Sequence, residues 1–180
     1  MYLQVERSGE KWSKVPIKWD KLSLIHTREA KDEKKVQPMF MGEFNHSIDT
    51  KGRIIIPSKF REDLGEEFVI TLGLDGCLFA YPNEEWKTFV DELRKLPGTG
   101  EARKLQRYFM AGAAACEVDK QGRILIPARL RESAGLDKDI VFVGVLNKIE
   151  IWSKERWENN NDYDDVDAIA EHMSQYGISF

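Results

Sequence analysis

The sequence predicts an α+β fold in which one β-hairpin unit occurs twice in tandem, with helices flanking each copy, and three observations predict it. The first is an internal repeat. Asp49-Thr-Lys-Gly-Arg-Ile-Ile-Ile-Pro-Ser-Lys-Phe-Arg-Glu62 is matched seventy residues later by Asp119-Lys-Gln-Gly-Arg-Ile-Leu-Ile-Pro-Ala-Arg-Leu-Arg-Glu132, with eight of fourteen positions identical. The likeness continues through Gly65 and Gly135, and Phe68 to Trp86 then runs parallel to Ile140 to Trp157. The second is punctuation: short alternating apolar runs bounded by Asp, Gly and Pro, as strands and tight turns require. The third is a pair of longer segments between those runs with apolar residues at helical spacing. The chain accordingly divides into a leader (residues 1–38), a first unit with its helix (39–98), a second unit (99–157) and an acidic tail (158–180).

Each element of the first copy follows from its residues. Phe44, His46 and Ile48 alternate with polar residues, as in a half-buried strand. Asp49 opens a turn by accepting backbone hydrogen bonds, and Gly52 supplies the positive φ that a hairpin with a bulge requires. Ile54 to Ile56 is a short β-branched strand that Pro57 ends while suiting the start of a helix. Ser58 to Leu64 is that helix, stopped by Gly65. Phe68 to Leu72 and Cys77 to Tyr81 form a second hairpin around Gly73-Leu-Asp-Gly76. Pro82 starts a helix to about Leu96 with Trp86, Phe89, Val90 and Leu93 on one face, which is best read as core packing. After Pro97-Gly98-Thr99-Gly100, Glu101 to Met110 is another helix, and the pattern restarts at Ala114. A last helix is expected near Val166 to Met173.

Composition narrows the function. With 42% hydrophobic residues the chain can bury a sizeable core. Its longest uncharged apolar runs, such as Ala111 to Cys116, fall far short of a membrane span, and the leader lacks a secretory pattern. Cys77 and Cys116 are isolated, so they read as reduced, half-buried thiols of a cytoplasmic protein rather than zinc ligands. His26, His46 and His172 are solitary, and no phosphate-cradling loop or nucleophile motif occurs, so neither a cofactor nor an enzymatic activity is expected.

The formal charge of −4 is unevenly spread. From residue 49 to 61, Lys51, Arg53, Lys59 and Arg61 face one acidic residue; from 119 to 131, Lys120, Arg123, Arg129 and Arg131 again face one. From Glu155 onward seven acidic residues face a single arginine, so negative charge collects in the tail, read as a solvated segment. Local cations are what attract a phosphate backbone. The tip of each copy's hairpin places Lys51 and Arg53, or Lys120 and Arg123, close together, and a two-stranded ribbon of this kind fits the major groove, where a guanidinium can bond guanine O6 and N7 through two parallel hydrogen bonds. Arg53 and Arg123 suit that task, whereas Lys59, Arg61, Arg129 and Arg131 on the following helices suit phosphates. One copy alone would also fit a purely structural turn, with Asp capping it and Arg paired to a carboxylate. Arg directly after Gly, Pro four residues on and basic residues six and eight on, in both copies, point instead to a binding surface.

The strand, then Asp-x-x-Gly-Arg-Ile-x-Ile-Pro, then a short basic helix resembles the swapped-hairpin DNA-binding unit of the AbrB and MazE superfamily. Two such units in tandem, with Met39-Phe-Met-Gly-Glu43, Gly73-Leu-Asp75, Tyr81-Pro82, Gly112-Ala113 and Asn147-Lys-Ile-Glu-Ile-Trp152, are similar to the MraZ family over residues 39 to about 157. The resemblance implies two pseudo-symmetric units forming a small β-barrel. It implies a cytoplasmic, nucleoid-associated regulator that represses or tunes the division and cell-wall gene cluster, including its own promoter. It further implies a ring-shaped homo-oligomer on G-rich direct repeats of double-stranded DNA, with no membrane and no small-molecule substrate involved. Through the family's Asp-x-x-x-Arg motif it marks Asp49, Arg53, Asp119 and Arg123 as site residues. The competing reading is an antitoxin-like protein-interaction module whose acidic tail engages a second protein.

The leader departs from that family, whose members usually begin at the Met39 equivalent. Lys11-Trp12-Ser-Lys14 and Lys18-Trp19-Asp-Lys21 repeat with a period of seven. Since Trp has one codon, the coding DNA carries two TGG triplets roughly 21 base pairs apart, about two turns of B-DNA. The leader is thus either translated operator DNA upstream of a start at Met39 or a genuine basic, Trp-bearing arm.

Overall fold

The computed structural model describes residues 38–160 and 164–177. The first half carries β1 (Phe40–Ser47), β2 (Arg53–Ile55), α1 (Ser58–Leu64), β3 (Glu67–Leu72), β4 (Leu78–Pro82), α2 (Asn83–Arg94) and α3 (Gly100–Gly112). The second carries β5 (Ala114–Glu117), β6 (Arg123–Leu125), α4 (Ala128–Ser133), β7 (Asp139–Leu146), β8 (Lys148–Ser153), α5 (Lys154–Asn160) and α6 (Val166–Ser174). The helices end where their residues dictate: Gly65 takes φ +82° after α1, and the Thr99 side chain caps α3 by accepting from the Ala102 amide. Trp12 and Trp19 of the leader lie outside the described residues.

The strands interleave the two copies. All pairings are antiparallel, and the main sheet runs β1-β7-β8-β4-β3-β5. The first strand of each copy pairs with the third strand of the other: Phe40–Ser47 runs against Leu146–Asp139, and Cys116 stands opposite Phe68. Read from either end the order is the same once the copies are exchanged, which makes the repeat a pseudo-twofold. β2 and β6 form a separate two-stranded ribbon, with Arg53 opposite Leu125, Ile54 opposite Ile124 and Ile55 opposite Arg123.

Two expectations are corrected by this topology. The local hairpin across Asp49 is a turn without a hairpin, because β1 and β2 belong to different sheets; the same holds across Asp119. The eight residues of β1 find a full-length partner in β7, while Pro57 and Pro127 cut β2 and β6 to three residues that match only each other. The expected small barrel is also not closed: β1 and β5 are the edges of an open six-stranded sheet. The interleaving likewise means that the units as divided at residues 98 and 99 share one core.

The central strands of that sheet are buried on both faces, while the edge strands β1 and β5 are largely exposed. Alternate residues of β4 and β7, Leu78, Ala80, Ile140 and Phe142, join Ile54, Ile124, Phe60, Leu64 and Leu130 in a core roofed by the ribbon, α1 and α4. The intervening Phe79, Tyr81, Val141 and Val143 pack with Trp152 beneath α2 and α3. The period-2 pattern therefore fills both sides, as in a two-faced buried sheet. The α2 aromatics pack as expected: Phe89 stacks on Tyr81 at 5.2 Å and meets Phe109 edge-on at 5.0 Å. Cys77 and Cys116 are more deeply buried than half-buried, and burial raises the pKa of both thiols. No described helix is long and apolar enough to cross a membrane.

Candidate nucleic-acid interface

Each basic turn is organised by its own aspartate. Asp49 Oδ1 accepts the amides of Lys51 and Arg53, both at 2.9 Å, and its backbone amide and carbonyl bond the Arg53 carbonyl and the Gly52 amide. Oδ2 takes the Arg53 guanidinium, from Nε at 2.8 Å and Nη2 at 2.6 Å. The second turn is a copy: Asp119 Oδ1 accepts from Gln121 and Arg123, and Oδ2 lies 2.8 Å from Arg123 Nε and 2.7 Å from Nη2. These bonds hold both carboxyls down at about 2, the arginine side chain being the largest cause and its backbone amide the next. A guanidinium has five N–H donors. Pairing through Nε and Nη2 on one side leaves the Nη1 hydrogens and the outer Nη2 hydrogen directed away from the turn.

Gly52 and Gly122 do more than permit the turn. Gly52 takes φ +79° and Gly122 φ +75°, and each is the seat of an arginine from the opposite copy. A Cβ on Gly122 would stand 2.5 Å from Arg61 Cζ; one on Gly52 would stand 2.8 Å from Arg131 Cζ. Arg61 Nε donates to the Ile56 carbonyl at 2.9 Å and Arg131 Nε to the Ile126 carbonyl at 3.1 Å. The ribbon is extended by Ile56 donating to the Gly122 carbonyl and Ile126 to that of Gly52. Each turn is thus locked by the helix arginine of the other copy.

The ribbon presents one face to the core and one to solvent. Ile54 and Ile124 are buried at 1% exposure, so residues 53, 55, 123 and 125 share the outer face. Arg53 and Arg123 occupy diagonal corners, about 7–8 Å apart at the backbone for such a pair. Lys51 and Lys120 stand exposed on the turns, at non-equivalent positions. Lys59 is exposed on α1, whereas Arg129 on α4 donates to the Ala111 carbonyl at 3.1 Å, tying that helix to the end of α3. An open cleft of about 630 Å³ beside the second turn is lined by Arg61, Glu62, Asp119, Lys120 and Gly122. His46, partly buried and edge-on to Phe142, has its pKa lowered by burial and then by Arg61. Among the described residues no cluster of three or more His, Cys, Asp or Glu could hold a metal.

Three features escaped the sequence reading. Arg156, counted only as the tail's lone cation, bonds the Gly76 carbonyl at 2.7 Å and the Ser133 carbonyl at 3.2 Å. Glu85 is buried and accepts from Asn147 Nδ2 at 2.9 Å; its spacing of four from Phe89 and eight from Leu93 was the available signal. Ile55 and Leu125 are exposed between the two site arginines, at 44% and 59%. Strict alternation about buried Ile54 and Ile124 would have found them.

The comparisons agree with this architecture. The family model described as "MraZ protein, putative antitoxin-like" matches residues 39–108 and again 109–175. A protein of Lachnoclostridium phytofermentans named Transcriptional regulator MraZ is 75% identical over 142 residues, which is 79% of this chain and the whole of that protein. Proteins of the same name from Caldanaerobacter subterraneus subsp. tengcongensis and Clostridium acetobutylicum are each 55% identical over 143 and 142 residues, 78% of this chain and all of theirs. With a doubled family match across an interleaved pseudo-twofold, and relatives covered from end to end, the chain belongs to the MraZ family.

Proposed function

We propose that the chain is a sequence-specific DNA-binding transcriptional regulator, with no enzymatic step, and that the β2–β6 ribbon and its two turns meet the duplex. The observation that carries this is the placing of Arg53 and Arg123 on one exposed face of a two-stranded ribbon, each aimed by its own aspartate. Their free N–H edges read guanine O6 and N7 in the major groove. Asp49 and Asp119 act by orienting them. Lys51, Lys120, Lys59 and the remaining donors of Arg61, Arg129 and Arg131 engage phosphates, which sets position rather than sequence. The names carried by the relatives support regulation of transcription.

The finer reading follows the family resemblance: repression or tuning of the division and cell-wall gene cluster through G-rich direct repeats in the chain's own promoter. The protein is then cytoplasmic and nucleoid-associated, and works as a ring-shaped homo-oligomer whose subunits each meet one repeat. Weak single contacts gain through effective concentration, so affinity depends on several repeats. Gel shifts on the upstream DNA of the gene, with repeats removed one at a time, test this. Stepwise loss of affinity is expected; binding that ignores every repeat refutes it.

A second reading, an antitoxin-like protein-interaction module, is favoured by the exposed Val166, Ile169 and Tyr176 at helical spacing on and just after α6. A stoichiometric protein partner, captured without any DNA preference, would select it.

A further inference from the structure

Two large apolar side chains, Ile55 and Leu125, stand exposed on the outer face of the ribbon, beside both site arginines. Each lies opposite an arginine in the ribbon register, Ile55 against Arg123 and Leu125 against Arg53, on the face turned from the core. The four side chains form a small square in which cations hold one diagonal and hydrocarbon the other, with Lys51 and Lys120 exposed beyond it on the turns.

We infer that Ile55 and Leu125 are specificity-determining residues that contact the C5-methyl groups of thymines adjacent to the guanines met by Arg53 and Arg123. The inference rests on the DNA-binding reading above and adds to it a class of base that arginine chemistry does not recognise. In the major groove a methyl group is presented only by thymine, and apolar side chains are what contact it. In this register an arginine stands about 4.5–5.5 Å from the apolar residue opposite it and about 7 Å from the one two places along its own strand, spans of one to two base-pair steps at about 3.4 Å each. An arginine on one base edge therefore leaves the apolar neighbour on its own strand or its partner strand over an adjoining base. A second copy of the chain is a poorer occupant. Two side chains expose far less than the roughly 800 Å² per partner of a stable protein interface, and seating a protein there would desolvate two arginines along with them.

The test starts with selection of the full-length chain against a randomised duplex library, which yields the bound motif. Each thymine of that motif is then replaced by deoxyuridine, removing one methyl and leaving pairing and every hydrogen-bonding group in place. The wild type is expected to bind about fourfold more weakly for each contacted methyl lost, the value of one buried CH₂ or CH₃. Ile55→Ala and Leu125→Ala should bind the two forms of the probe equally. Both side chains are exposed, and circular dichroism should show the variants folded.

Several results overturn the inference. A motif with no thymine beside its guanines does so, as does a wild type indifferent to deoxyuridine, or variants that still discriminate. If Arg53→Ala and Arg123→Ala nonetheless weaken binding, the DNA reading survives that failure. If the library yields no enriched motif at all, the DNA reading falls and this inference with it. A change of subunit number in light scattering for Ile55→Ala or Leu125→Ala, with thymine discrimination intact, assigns the pair to contacts between copies and also overturns it.

Discussion

Replacing Gly122 with alanine probes the interlock between the two copies. The new Cβ would lie 2.5 Å from Arg61 Cζ, 2.6 Å from Nη1 and 2.9 Å from Nε, at a residue whose φ is +75°. Holding an L-residue in the left-handed region costs about 1–2 kcal/mol. Arg61 must also withdraw, giving up its bond to the Ile56 carbonyl; for a partly solvated charged donor that is about 1–2 kcal/mol, toward the lower end for such bonds. The total of about 2–4 kcal/mol corresponds to a fall in Tm of roughly 5–15 °C for a protein of this size. Arg61→Ala removes the obstacle in advance, so Gly122→Ala in that background should cost only the backbone share. Urea denaturation of both single variants and the double variant should then give a coupling energy of about 1–2 kcal/mol. Strict additivity would refute the interlock. Gly52→Ala should couple to Arg131→Ala in the same sense, and more weakly, because the approach there is 2.8 Å.

Two further outcomes are expected. The Asp49 and Asp119 carboxyls should titrate near 2 by carbon-13 NMR, and Arg53→Ala should move the Asp49 midpoint up toward 3.8. Because folding depresses these pKa values, their contribution to stability is complete above about 3.8 and is lost as pH falls through about 2. The turns should therefore keep their charge state from pH 5 to 8, and binding should show no step there from these groups. Arg156→Ala should lower stability by about 2 kcal/mol in denaturant titration, since two carbonyls, one in the turn before β4 and one at the end of α4, lose a charged donor. Both bonds leave the single Nη1 atom, so Arg156→Lys, whose ammonium also carries several donors on one nitrogen, should restore part of the loss.

Local structure was largely legible in the residues. Pro57 and Gly65 bracket α1 at both ends, and the apolar spacing after Asp165 placed α6 to within one residue. Strand pairing was not. Alternation tells which face of a strand is buried but is silent about its partner, so β1 read as the hairpin mate of β2 when it pairs with β7. The same limit concealed the open sheet, because closure depends on which strands remain as edges. At the site, the Asp-x-x-x-Arg spacing marked Asp49, Arg53, Asp119 and Arg123, which the structure pairs within each turn. Arg61 and Arg131 read as free cations on exposed helices because the glycines they cover lie about sixty to eighty residues away in the chain, beyond any local pattern.

The most direct test of the central claim is the equilibrium binding of the chain to its own upstream duplex, followed by fluorescence anisotropy, for Arg53→Ala, Arg123→Ala and the double variant. Each single change should weaken specific binding by about 1–3 kcal/mol, and the double should bring it down to the level of unrelated DNA, while Lys59→Ala mainly reduces the salt slope. Wild-type affinity in the double variant would contradict the account.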